Sequence, residues 1–287
     1  MNAVYKSEEG ARAVEARYRD FLKSWPVANR QLRLPTRQGE TFVIACGPES
    51  APPLLLFHGS ATNSFIWMDD VADWAEHFRV FAVDMIGEPG FSAPSRPPLD
   101  SEAYAHWLDD VMTGLGLTSA ATVGASLGGW LALDYATRRT NRVGALALLC
   151  PGGVGRQKMG FLFTALPLLM FGDWGRRKAM EIAMGPIPPA QLSAHAEAAD
   201  FFELIMEHFR TRTMVLPVLD DDALRRLDMP VLTILGGEDA ILDSDDTRQR
   251  LEENVPHAEI CYLPEIGHGI LDQTAPILDF LRKSTGV

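Results

Sequence analysis

Cysteine is scarce in this chain: among 287 residues there are three, Cys46, Cys150 and Cys261, far apart and each within a strand-like stretch. That excludes a disulfide framework and a cysteine-built metal site, and predicts small buried hydrophobes in a reducing compartment. Basic charge is also short, with 26 Lys and Arg against 38 Asp and Glu and a net charge of −12. A polyphosphate or an anionic lipid surface would be repelled overall, so nucleic-acid and acidic-membrane partners are excluded. Long apolar runs are missing too. The most apolar one, Phe161 to Phe171, contains Pro167 and falls short of the roughly 20 residues that span a bilayer, so no integral membrane segment is expected. No apolar stretch follows Met1, and Lys6 to Lys23 is charged throughout, which argues against a signal peptide and makes the cytoplasm the default location. Internal repeats are absent.

What is present alternates between two patterns. Ser7 to Trp25 carries an incomplete apolar stripe at helical spacing (Ala13, Ala16, Tyr18, Phe21, Leu22), closed by Pro26. Arg30 to Pro35 and Thr41 to Cys46 read as a hairpin turned at Gln38-Gly39. Leu54 to Phe57 is a continuous apolar run, the mark of a strand buried on both faces. Ser64 to Phe78 reads as a helix, Val80 to Val83 as a strand, and Met85 to Asp100 as a Gly- and Pro-rich loop. A helix capped at Asp100 or Ser101 reaches to about Leu115; a strand, the helix Leu127 to Arg139 and the strand Val143 to Cys150 follow.

Strands alternating with helices imply a parallel sheet covered on both sides. The alternation stops over Gly152 to Leu227, which has helix-like pieces, many Phe, Leu and Met, and no convincing strand. It is too long for a crossover and too apolar for disorder, so it reads as an inserted helical cap. The sheet resumes at Val231 to Leu235 and Glu259 to Leu263, with a helix at Asp245 to Asn254 between them and a closing helix over Ile270 to Leu281. The fold class is therefore α/β: a mostly parallel eight-stranded sheet, helices on both faces and a helical cap. The expected division is an N-terminal helical extension at 1–29, a core made of 30–151 and 228–287, and a cap at 152–227.

Chemistry points to Gly124-Ala125-Ser126-Leu127-Gly128. A Gly-flanked serine between a buried strand and a helix sits on a tight turn, where residues two positions away must be tiny for strand and helix to pass. The helix aims its free N–H groups at whatever Ser126 attacks. A serine hydroxyl is a weak nucleophile at neutral pH and needs a base, with a third group to orient that base. Of the seven histidines, His268 lies in a flexible loop after the last strand, Glu265-Ile266-Gly267-His268-Gly269, on the sheet edge that carries Ser126. Asp239, in Gly236-Gly237-Glu238-Asp239, leaves the strand before it and is the expected acid, with Glu238 and Asp243 as competitors. The backbone N–H groups of Ser60 and Leu127 are the expected oxyanion donors. His58 reads as a structural loop residue. Trp67, Trp130 and Phe161 are the candidate pocket residues.

The order Ser126, Asp239, His268, with His58-Gly59 upstream and a cap after the sixth strand, resembles the α/β-hydrolase family from Arg30 to Leu281. The lead-in Ser24-Trp25-Pro26-Val27, with Pro35-Thr36-Arg37 and Val43 to Pro48, is more narrowly similar to bacterial carboxylesterases that carry an N-terminal helix. A serine rather than an aspartate at the elbow departs from the dehalogenase and epoxide-hydrolase branches. In Ile86-Gly87-Glu88-Pro89-Gly90-Phe91-Ser92, Glu88 and Pro89 stand where many relatives have a tighter Gly-x-Gly-x-Ser. The resemblance implies a serine hydrolase that forms an acyl-enzyme on a small or medium apolar ester, with no metal or organic cofactor. A carbon–carbon bond hydrolase, a lactonase or a perhydrolase would use the same three residues, and a non-turnover small-molecule receptor could retain them. The oligomeric state, monomer or homodimer, stays open.

Overall fold

Leu54-Leu55-Leu56-Phe57 is apolar at every position because both of its faces are covered, and it lies near the middle of one eight-stranded sheet. In the computed structural model, residues 4–158, 160–212 and 214–287 are described; the side chains of residues 161, 162, 165, 166, 169, 173 and 192 lie outside that description. The chain begins with α1 (Glu8–Lys23), β1 (Asn29–Thr36), β2 (Gly39–Cys46), β3 (Pro53–Phe57), α2 (Val71–Ala75) and β4 (Arg79–Val83). It continues with α3 (Ala103–Gly114), β5 (Ala120–Ala125), α4 (Leu127–Arg138) and β6 (Val143–Leu149). A run of helices follows: α5 (Gly160–Leu168), α6 (Gly172–Met184), α7 (Pro189–Ala194), α8 (Ala196–His208) and α9 (Asp221–Leu224). Last come β7 (Val231–Gly236), α10 (Ser244–Asn254), β8 (Glu259–Leu263) and α11 (Thr274–Thr285).

The strand order is β1-β2-β4-β3-β5-β6-β7-β8. β1 pairs antiparallel with β2, and β2 antiparallel with β4, while every later pairing is parallel. The carboxyl ends of β3, β5, β6 and β7 therefore share one edge, where ligands of open α/β sheets bind. Two apolar clusters cover the two faces, one around Trp74, Phe78 and Phe201, the other around Trp107, Trp130 and Leu148. Among the described residues no helix is long and apolar enough to cross a membrane.

Two elements differ from expectation. Ser64 to Phe78 is not one helix but a 3-10 turn, Ser64–Trp67, followed by α2. Asn63 caps the turn by accepting from Phe65 N–H, and the Asp69-Asp70 pair interrupts the helix: Asp70 turns its carboxylate to the Thr274 hydroxyl instead of propagating it. The closing helix begins at Thr274 rather than Ile270, because Asp272 has a positive φ of 56° that an α-helix does not accommodate. Helix α1, expected as an extension lying on the main body, packs between the core and the inserted helices. Ser7 Oγ caps it by accepting from Gly10 N–H, and its buried face stacks Tyr18 on Phe91 and Phe201 and sets Phe21 against Phe65 and Phe201.

Candidate active site

Ser126 has φ 51° and ψ −108°, a conformation that costs a non-glycine residue about 1–3 kcal/mol and is held by its surroundings. Its N–H donates to Leu149 O (2.9 Å), and its carbonyl accepts from Trp130 N–H (3.0 Å) and Gly152 N–H (3.1 Å). The flanking glycines are required by space: a Cβ on Gly128 would lie 2.1 Å from Phe57 O, and one on Gly124 would lie 2.5 Å from Gly128 O.

The structure brings Ser126, His268 and Asp239 into one line. His268 Nε2 lies 3.0 Å from Ser126 Oγ, and His268 Nδ1 lies 2.7 Å from Asp239 Oδ2. The other oxygen of Asp239 accepts from the N–H groups of Ile241 (2.7 Å) and Leu242 (2.9 Å), which fixes the carboxylate. His268 and Asp239 are both buried. Burial works against a charge on the His268 ring, but the Cys150 sulfur and the Asp239 carboxylate outweigh it and hold the ring's pKa well above the ordinary histidine value. The glycines beside His268 have a use the sequence did not reveal. They let the backbone after α6 approach, with Gly267 N–H donating to Pro186 O (3.1 Å) and Gly269 N–H to Met184 O (3.0 Å).

His58 is fully buried and does not face Ser126 as a second base. Its Nδ1 lies 2.8 Å from Gly59 O, and its Nε2 accepts from Met85 N–H (2.9 Å), so the neutral ring ties two loops together. Burial lowers its pKa and favours that neutral form. The turn after it approaches the serine closely, since a Cβ on Gly59 would lie 3.7 Å from Ser126 Cβ. Among the described residues, neither the Ser60 N–H nor the Leu127 N–H has a hydrogen-bond partner. The arrangement can pass the Ser126 proton to His268 while both N–H groups stay available to a negative oxygen.

The pocket residues fare differently. Trp67 and Trp130 are core residues rather than pocket lining: Trp67 packs on Trp74 (ring centroids 5.8 Å apart), and Trp130 donates to Pro217 O (3.1 Å) with its ring edge-on to Tyr104. Large aromatic side chains are drawn into the two apolar layers, which leaves neither facing open space. Phe161 lies on α5, with its side chain outside the described residues. A shallow depression of about 670 Å³ runs between the inserted helices and the core, lined by Lys158, Gly160, Thr164, Ile182 and Gly237 to Ala240. It borders Asp239 without reaching Ser126.

Two features were missed by sequence reasoning. Cys150 is more than a buried hydrophobe: its thiol donates to His268 O (3.3 Å), and Sγ lies 3.9 Å from His268 Nε2. Its place at the end of β6, beside the elbow strand, was the available signal. Cys150, Asp239 and His268 are also the one set of potential metal donors among the described residues, with ligand atoms within 4.8 Å, but Asp239 and His268 already bond each other. The second is Asp84, at the end of β4. It accepts from Tyr18 OH (2.8 Å), Ser64 Oγ (2.7 Å) and Phe91 N–H (2.8 Å), joining α1 to the 3-10 turn at Ser64 and to the loop after β4.

The Alpha/beta hydrolase family model matches residues 54–280. A protein of Bacillus subtilis (strain 168) named as an uncharacterized carboxylesterase, nap, is 30% identical over 98% of this chain and 96% of its own. The carboxylesterase YbfK of the same strain is 28% identical over 91% of this chain and 88% of its own. Among solved structures, the naproxen esterase (carboxylesterase NP) from Bacillus subtilis has a TM-score of 0.81 and 30% identity, covering 96% of this chain and 98% of that one.

Proposed function

This chain belongs to the alpha/beta hydrolase family and is a carboxylic ester hydrolase, and we propose that it cleaves its ester through an acyl-enzyme on Ser126, with His268 as base and Asp239 orienting that base. Ser126 Oγ attacks the ester carbonyl as its proton passes to His268 Nε2. The negative oxygen of the tetrahedral intermediate is received by the N–H groups of Ser60 and Leu127, each worth ~3 kcal/mol of transition-state stabilisation. Collapse breaks the bond to the alcohol, which leaves with the proton held on His268. Water then gives a proton to the same nitrogen as it attacks the acyl carbon, and collapse breaks the bond to Ser126 Oγ, which takes that proton back from His268 as the acid leaves. Asp239 keeps Nδ1 protonated and offsets the imidazolium charge without accepting that proton.

The observation that carries this reading is the unbroken hydrogen-bond line from Ser126 Oγ through His268 to Asp239. We assign the helices between β6 and β7 as a cap beneath which substrate enters. The Phe, Leu and Met content of that segment supports a small or medium apolar ester, and the net charge of −12 disfavours strongly anionic ones. Steady-state hydrolysis of p-nitrophenyl esters of increasing chain length tests it. The native chain is expected to turn over the shorter members, and Ser126→Ala to lose about 10³-fold or more in kcat with an unchanged circular dichroism spectrum. A folded native chain inactive on the whole series would contradict it.

A further inference from the structure

The loop after β4 buries an acid that the reaction above does not use. Glu88 is 1% exposed. Its Oε2 accepts from the Ala61 N–H (2.8 Å), and its Oε1 accepts from Arg212 Nε (2.5 Å), which reaches in from the segment between α8 and α9. Arg212 is itself held, with Nη2 donating to Ile86 O (3.2 Å) and the guanidinium over the Tyr104 ring. A buried ion pair gains little net stability, because desolvation offsets its attraction, so the pair is better explained by what it holds than by its energy.

What it holds is the residue after Ser60. Ala61 has φ 55°, a left-handed conformation that alanine keeps only where neighbours impose it. The peptide groups on either side of Ser60 share its Cα, so fixing the Ala61 N–H limits how far the Ser60 N–H can swing. The same loop ties the turn at both ends, through Met85 N–H to His58 Nε2 (2.9 Å) and Asn63 Nδ2 to Pro89 O (2.8 Å). Glu88 is the tie in the middle.

We propose that Glu88 is a positioning residue for the oxyanion turn: held by Arg212, it fixes Ala61 so that the Ser60 N–H stays aimed at the developing oxyanion. This rests on the reading of Ser60 as a donor given above. Two conservative variants separate the role from plain ion pairing. Glu88→Asp keeps the charge for Arg212 but withdraws the acceptor from Ala61 by one methylene. Glu88→Gln keeps the reach and drops the charge.

The readouts are kcat and KM for p-nitrophenyl butyrate, and Ki for phenylboronic acid, whose tetrahedral adduct on Ser126 puts an oxygen in the same hole. Glu88→Asp is expected to lower kcat about 10- to 100-fold, less than the 10²–10³ of losing a donor outright, with KM within about twofold and the boronate Ki raised by a similar factor. Glu88→Gln is expected to stay within about threefold of native in kcat and Ki. The reverse order, or equal kcat and Ki in both variants, overturns the proposal while native activity leaves the acyl-enzyme reading intact. A native chain that neither hydrolyses the ester nor binds the boronate overturns both.

Discussion

His268 is where opposing effects meet: burial disfavours a charged ring, while the Cys150 sulfur and the Asp239 carboxylate favour it and prevail. Proton abstraction from Ser126 needs the neutral ring, so kcat/KM falls as pH drops through the folded-state pKa. Because that pKa is raised, the acid limb has its midpoint above the ordinary histidine value near 6.5. Cys150→Ala removes one raising partner, and its pH–rate profile is expected to shift the limb to lower pH while the high-pH plateau stays within about twofold; an unmoved limb would contradict the assignment. The convergence of Ser126, Asp239 and His268 was legible because each follows a strand that ends on one sheet edge, and order along the chain reveals that. Cys150, Asp84 and Glu88 were not, because each has a partner far along the chain: His268 is 118 residues from Cys150, Tyr18 is 66 from Asp84, and Arg212 is 124 from Glu88. Trp67 and Trp130 misled for a related reason, since an aromatic side chain looks the same in sequence whether it lines a pocket or fills a core.

The elbow is legible as an element because its requirement is steric and local. Gly128 stands against the backbone of β3, with Phe57 O 2.1 Å from any added Cβ, and that strand cannot yield without losing its pairing with β5. Gly128→Ala is expected to lower stability by about 1–3 kcal/mol and to abolish labelling of Ser126 by a fluorophosphonate. A native melting temperature with native labelling would show that the close approach is not needed. Element boundaries were less legible where side chains compete with the backbone. Asp70 and Asp272 both break helical patterns that their apolar neighbours would have continued, because each carboxylate has a partner elsewhere: Thr274 for Asp70, and His195 for Asp272.

Across the whole molecule, His195 joins the inserted helices to the core. It sits between α7 and α8, with Nδ1 2.9 Å from Asp69 and Nε2 3.2 Å from Asp272, four residues beyond His268. Burial works against its charge, but the two aspartates prevail and raise its pKa. A group that binds its proton more tightly when folded contributes fully below its unfolded pKa and loses that contribution as pH rises through the folded one. Asp70 beside it acts in the same direction. Burial raises its pKa to about 6 from 3.8, so stability lost above pH 6 is regained as pH falls towards 3.8. Hydrogen exchange of residues 189–208 and 268–274, corrected for intrinsic rates, is expected to be slower at pH 6 than at pH 8, and His195→Gln to shrink the difference to the share that Asp70 contributes. Equal protection at both pH values would contradict this. The layered sheet was legible in the alternation of strands and helices, whereas the wedging of α1 depends on Tyr18 meeting Asp84 and Phe201, contacts that no local pattern encodes.

Passage of an acyl group through Ser126 is tested most directly by the pre-steady-state release of p-nitrophenol from p-nitrophenyl butyrate, with an acid-quenched sample taken for peptide mass spectrometry. A burst approaching one equivalent per chain is expected wherever deacylation is the slower step, with a butyryl group on the peptide that contains Ser126. Rapid turnover in which Ser126→Ala is as active as the native chain, or an acyl group trapped on a different residue, would contradict it.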